Sequence, residues 1–210
     1  MSRDHILHKV RTALGRSAGQ GVEAPPDPWI RIPEVSLEER LAQFCRALEA
    51  LNGKTLVAGS PEEARRYAET LLENRTAIAS NSPFLAECGI HTIAGVASGI
   101  TDRLALREAC ASRDLGITSA DYALADTGTL VMFSSHEEAR MISLLPPAHL
   151  AIVPRNRLLT GLDELLTVLP VPSKRSSSMV FITGPSRTAD IEQILVRGVH
   201  GPGEIHVVWV

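Results

Sequence analysis

The apolar and polar positions of this chain change period several times, and each change predicts an element. Residues 4 to 15 place Ile6, Leu7, Val10 and Leu14 at helical spacing with Arg and Lys on the other side, and Gly15 follows as a stop. From Ser17 to Pro33 the pattern gives way to Gly, Ala and Pro, including Pro25-Pro26-Asp27-Pro28, which can neither continue a helix nor pair inside a sheet. This predicts a helical arm and linker over residues 1–33 and a folded domain over residues 34–210. After Ser36, with Glu39 three residues on, Leu37, Leu41, Phe44, Cys45, Leu48 and Leu51 repeat at 3.6 until Asn52-Gly53. The period then switches. Thr55 to Gly59 reads as a strand, Ser60-Pro61-Glu62-Glu63 opens a helix, and Thr76 to Ala79 is a strand again, the β-α-β order of parallel strands with covering helices.

Further along, short strands are expected at Ile90 to Ile93, Leu115 to Thr118, Thr129 to Phe133, His149 to Val153, Met179 to Ile182 and Ile205 to Val210. Helices are expected at Asp102 to Arg113, Glu137 to Leu144, Gly161 to Leu169 and after Ser186. The fold class is therefore α/β with a mostly parallel sheet. Composition does not disturb this: of 210 residues, 44% are hydrophobic and 21% charged, so a core of ordinary size is available. A net charge of −3 and only eight aromatic residues offer neither a field nor stacking surface for nucleic acid. No apolar run is long enough to span a bilayer, and MSRDHILHKVRTALGR lacks the form of a secretory signal, so a cytoplasmic location is expected. Cys45, Cys88 and Cys110 are scattered, with no C-x-x-C pair, which suggests neither a disulfide framework nor a self-contained metal site.

Three stretches could carry chemistry. Ala120 to Thr129 holds Asp121, Asp126, Thr127, Gly128 and Thr129 between two strands; its Asp-Thr-Gly occurs in aspartic proteases, but those are all-β and pair two such loops. An Asx-type turn into the strand and a ligand-contacting turn are both open readings. Ser134-Ser135-His136-Glu137-Glu138 is explained by a capped helix start. In Thr183-Gly184-Pro185-Ser186-Arg187-Thr188, Ser186 or Thr188 can cap a helix whose first turn holds Asp190 and Glu192, while Arg187 can meet a small carboxylate or a phosphate. His200 stands between Val199 and Gly201 in a turn, an unusual place for a core histidine. Neither a G-x-G-x-x-G nor a Walker loop is present.

Taken together, Gly116 to Ala123, Ala125 to Val131, Leu145-Pro146-Pro147 with His149-Leu150 and Ile152-Val153, and Thr183 to Glu192 with Gly198 to Pro202 resemble the lactate utilisation protein C family, of the LUD domain. Family members commonly carry Glu at the position of Asp126. The resemblance implies the fold of sugar-phosphate isomerases and coenzyme A transferases, with helices on both faces of the sheet. It further implies a component of an iron–sulfur-dependent system that oxidises L-lactate to pyruvate. On that reading this chain binds no cofactor itself, and the iron–sulfur clusters reside in partner subunits. The expected site joins the Asp126 loop to the Gly184 turn at the carboxyl edge of the sheet. Asp126 and His200 are the candidate proton acceptors. Thr127, Gly128, Thr129, Gly184, Ser186, Arg187 and Thr188 are the candidate contacts for lactate or pyruvate, and Asp190 and Glu192 cap or line the site. Two other readings stand beside it: a non-catalytic scaffold subunit, and an acyl or coenzyme A transferase with Asp126 as nucleophile.

Overall fold

The computed structural model describes residues 2–17, 32–188, 196–198 and 200–210. The chain divides into two units, Met1–Arg31 and Ile32–Val210. In the first, helix α1 (Arg3–Ala13) starts where the Ser2 side chain accepts a hydrogen bond from the His5 amide. The second unit opens with α2 (Leu37–Ala50), whose start is the capping box seen in the sequence, Ser36 and Glu39 each accepting the other's backbone N–H. Its end is marked by Asn52 at φ 67°, a left-handed residue that lets the chain turn into the sheet.

The chain then runs β1 (Lys54–Val57), α3 (Pro61–Leu71), β2 (Ala77–Ala79), α4 (Pro83–Glu87), β3 (Val96–Ala97), α5 (Arg103–Ser112) and β4 (Leu115–Thr118). After β4 come β5 (Tyr122–Leu124), β6 (Thr129–Phe133), β7 (Ala148–Val153), β8 (Leu158–Leu159), α6 (Leu162–Val168), β9 (Met179–Ile182), β10 (Arg187–Thr188), β11 (Val196–Arg197) and β12 (Glu204–Trp209). Six strands form one parallel sheet in the order β1-β12-β7-β4-β2-β3. Every residue of β7 is buried, as a central strand covered on both faces requires, which is why it reads as an unbroken apolar run apart from His149.

One face of this sheet, through Leu115, Ile117, Leu150, Ile152 and Val208, packs on Ala64 and Ala68 of α3 and Leu85 of α4. The other face, through Ala151, Val153, Ile205, Val207 and Trp209, packs on Leu41, Phe44 and Leu48 of α2 and on a second sheet. That second sheet, order β8-β5-β6-β9, is built around antiparallel pairs and lays Leu130 and Met132 over the same core. The fold is thus the expected mostly parallel α/β sheet with helices on both faces, with an additional small sheet on one side. Among the described residues no helix is long and apolar enough to cross a membrane.

Two local expectations are corrected. Ile90–Thr92 forms a 3-10 turn rather than a strand, and the edge strand lies further on at β3. The segment from Glu137 to Leu144 is a series of turns, not a helix, because it is drawn down onto the sheet: a Cβ on Gly116 would lie 1.9 Å from the Ile142 carbonyl oxygen. After Ser186 the chain pairs as β10 with β11 in an antiparallel ribbon. The helix predicted there, with Asp190 and Glu192 in its first turn, falls outside the described residues.

Candidate functional site

The turn Thr183 to Arg187 ends β9 of the second sheet, and this moves the expected site from one edge of the parallel sheet to the other. The Ser186 amide donates to the Pro202 carbonyl at 2.8 Å and the Gly203 amide to the Pro147 carbonyl at 2.9 Å. Pro147 precedes β7 and Gly203 precedes β12, so the turn sits at the amino edge, not the carboxyl edge. Gly184 has φ +82°, and a Cβ there would meet Leu51 at 3.0 Å, so the turn passes tightly over the end of α2.

A cavity of about 210 Å³ opens at this edge between the two sheets. Its walls are Arg140, Ser143 and Leu144 from the connection pinned on Gly116, Val180 to Thr183 of β9 and its end, Gly184 and Ser186, and the His200 to Pro202 turn. Ile205 and His149 reach it from the parallel sheet. His149 is fully buried, and its Nε2 lies 2.8 Å from Thr118 Oγ1. Its Nδ1 has no partner among the described residues. Burial, aided by the charge of His206, pushes its pKa down to about 4, so the ring is neutral near pH 7. An unpaired polar nitrogen sealed in the interior is costly unless something binds it, which makes it a candidate ligand contact.

The Asp126 loop meets this pocket through a line of hydroxyls. Thr127 Oγ1 donates to Asp126 Oδ1 at 3.1 Å, Thr129 Oγ1 donates to Thr127 Oγ1 at 2.8 Å, and Thr129 Oγ1 lies 2.8 Å from Thr183 Oγ1. Thr183 lines the cavity. Asp126 and Thr127 are exposed, whereas Thr129 is buried. Gly128 has φ +63°, and a Cβ would stand 2.6 Å from the Leu48 amide, so its role is to bring the loop against α2.

Of the residues nominated from sequence, Gly184, Ser186 and His200 line the cavity directly, and Thr129 joins it through Thr183. Asp126 and Thr127 stand at the far end of the hydroxyl line. Arg187 takes a different place: its guanidinium donates to the Leu51 carbonyl, the C-cap of α2, where a cation also complements the helix dipole. Thr188 contributes backbone pairing to β10. The nominations missed Arg140, Ser143 and His149. A histidine inside an otherwise apolar central strand was the available signal for the last.

At the opposite edge, Glu138 is turned inward. The Ser119 amide donates to its Oε1 at 2.9 Å, and its Oε2 has no partner among the described residues. Burial raises its pKa to about 7 against the hydrogen bond from the Ser119 amide. Glu138 also borders a void of about 10 Å³ that shares Arg140, Ser143 and Val180 with the larger cavity. Among the described residues no group of three or more His, Cys, Asp or Glu is arranged to hold a metal ion. Cys88 and Cys110 are buried, and burial pushes both thiols up to about 11.

The model of the LUD domain family matches residues 41–210, the second unit from α2 to its end. The chain belongs to the LUD domain family. Among its relatives, this LUD domain chain is similar to Lactate utilization protein C 1 of Bacillus mycoides, with 30% identity over 96% of this chain and 93% of that one. It is also similar to Lactate utilization protein C of Oceanobacillus iheyensis, 27% identical over 100% of this chain and 98% of the relative. With the Halalkalibacterium halodurans protein of the same name the identity is 42%, over 46% of this chain and 44% of that one. Its fold matches the crystal structure of a DUF162 family protein from Deinococcus radiodurans, with a TM-score of 0.63 and 17% identity over 84% of this chain and 99% of that chain.

Proposed function

We propose that this LUD domain protein takes part in lactate utilisation, as a component of an iron–sulfur-dependent system that oxidises L-lactate to pyruvate, and that its own contribution is a small-carboxylate site. Its full-length relatives named lactate utilization protein C support the first part. The cavity supports the second, and the observation that carries it is Arg140 on one wall together with His149, which lines the same cavity and whose Nδ1 has no partner among the described residues. Arg140 offers a fork of donors to a carboxylate, Ser143 and Ser186 offer hydroxyls, and His149 and His200 offer nitrogens to a second polar group. Leu144, Val180 and Ile205 leave an apolar wall for a methyl group. Arg140 replaces Arg187 in this role, since Arg187 already caps α2. The clusters that carry electrons belong to partner proteins, as scattered cysteines in this chain suggest, and the system works in the cytoplasm.

Titration calorimetry of the full chain with L-lactate tests the site. Wild type binds, and Arg140→Ala weakens binding by about tenfold or more while the melting temperature stays within a few degrees. Equal binding by the variant would remove Arg140 from the site. A scaffold role is a second reading, favoured by Leu162 and Leu166, which stand exposed one turn apart on α6. Co-purification of iron-bearing partners from lactate-grown cells, compared between wild type and Leu162→Lys, separates the two. The transferase reading is not favoured, because Asp126 lies outside the cavity, against Gly161.

A further inference from the structure

We infer that the pocket distinguishes a hydroxy acid from the corresponding keto acid, because Thr183 is held as a hydrogen-bond acceptor by a one-way line of hydroxyls ending on the Asp126 carboxylate. This rests on the small-carboxylate reading of the same cavity and adds to it which oxygen chemistry beside the carboxylate is accepted.

The direction of the line follows from counting protons. A carboxylate only accepts, so Thr127 must donate its single hydroxyl proton to Asp126 Oδ1, 3.1 Å away. Thr127 then has only lone pairs for its other neighbour, and Thr129 donates to it at 2.8 Å. Thr129 has now spent its own proton as well. The remaining contact, 2.8 Å between Thr129 Oγ1 and Thr183 Oγ1, can be made only if Thr183 donates. Every proton in the line points toward Asp126, and Thr183 has none left for the cavity it lines. What remains on that oxygen is acceptor capacity. Thr129 is buried at 3% exposure, so solvent does not relax the arrangement at its middle.

An α-hydroxy carboxylate brings a hydroxyl that can donate to Thr183. An α-keto carboxylate brings only lone pairs at the same place, and two facing acceptors both lose their hydrogen bonds. Sites built to hydrogen-bond a substrate hydroxyl reject the analogue that cannot donate. Asp126 and Thr127 are thereby positioning residues: they set the polarity of Thr183 without touching the ligand. The single sense of the line, rather than the nucleophilicity of Asp126, explains why a carboxylate sits at its outer end.

The test is calorimetric binding of L-lactate and of pyruvate to the full chain, in wild type, Thr127→Val, Asp126→Ala and Thr127→Ser. Wild type is expected to bind L-lactate about tenfold or more tightly than pyruvate. In Thr127→Val and Asp126→Ala the line can reverse, Thr183 regains a proton for the cavity, and the preference falls to within about threefold through tighter pyruvate binding. Thr127→Ser keeps the hydroxyl and restores the preference. Both altered residues are exposed, so the variants retain the fold. Equal wild-type affinities, or a preference unchanged in both Thr127→Val and Asp126→Ala, would overturn the inference and leave the carboxylate site standing. Failure of wild type to bind either acid overturns both.

Discussion

Single atoms at glycine positions decide where the site's walls stand. Gly116 faces the segment that carries Arg140, Ser143 and Leu144, and its missing Cβ is the space into which the Ile142 carbonyl fits. Gly116→Ala would put a methyl 1.9 Å from that backbone oxygen and 3.2 Å from Pro146, and backbone cannot rotate aside as a flexible side chain can. The expected cost is about 1–3 kcal/mol, with the connection lifted from β4, so lower stability and weaker carboxylate binding should appear together in melting and calorimetry. Loss of stability alone would mean that the connection keeps its place and the strain is absorbed elsewhere. Gly128, in the turn between β5 and β6, is a parallel case against α2, and here both its positive φ and the 2.6 Å approach to the Leu48 amide ask for glycine. Read as sequence, Asp126-Thr127-Gly128 invites a catalytic interpretation of the whole motif; its glycine is accounted for by packing.

At the scale of elements, α2 is closed at both ends by side chains, the Ser36–Glu39 box at its start and Arg187 at its C-cap, from the far end of the chain. Arg187→Ala should therefore lower stability by about 0.5–1.5 kcal/mol, a melting shift of roughly 2–5 °C, and leave lactate binding intact. Lost binding at an unchanged melting temperature would reverse that assignment. The box and the parallel strands were legible because their determinants are local: a hydroxyl three residues before a Glu, and apolar runs bounded by Gly, Pro and Ser. What was not legible depends on partners distant in sequence. Strands β5 and β8 are two to three residues long and become strands only by pairing with each other and with β6. The segment from Glu137 to Leu144 has a helix start, with Ser135 Oγ accepting from the Glu137 and Glu138 amides, yet tertiary contact with β4 overrides it. The same limit applied to the site. Ser186, His200 and the Asp126–Thr129 loop were found from their turns, but their edge of the sheet depended on β9 joining the second sheet antiparallel to β6.

Over the whole molecule, the partly buried Glu138 and the fully buried His149 give the fold opposite responses to pH. Glu138 has its pKa raised from 4.5 to about 7, so the folded state favours its neutral form. Its contribution to stability is fully present below pH 4.5 and is lost as pH rises through about 7. His149 has its pKa lowered from 6.5 to about 4, so its contribution is fully present above pH 6.5 and is lost as pH falls through about 4. His206, also held below its ordinary value by burial, acts in the same sense as His149. Each of the two large shifts corresponds to up to about 3 kcal/mol across overlapping windows, and in the intact protein they oppose one another. Glu204 stays out of this contest: although burial raises it, hydrogen bonds from His206 and Lys54 hold its pKa at about 2, so its effect is confined to more acid solution. Denaturant unfolding between pH 4.5 and 7 should therefore show a shallow profile for wild type. Glu138→Gln leaves the histidines unopposed, and stability should then climb with pH; His149→Gln leaves Glu138 to act, and the slope should fall relative to wild type. Parallel profiles for all three proteins would mean that neither group is as deeply desolvated in solution as its surroundings here dictate. Opposed slopes would establish that a neutral His149 at the cavity and a protonated Glu138 at the opposite edge are both held by the fold before any ligand arrives.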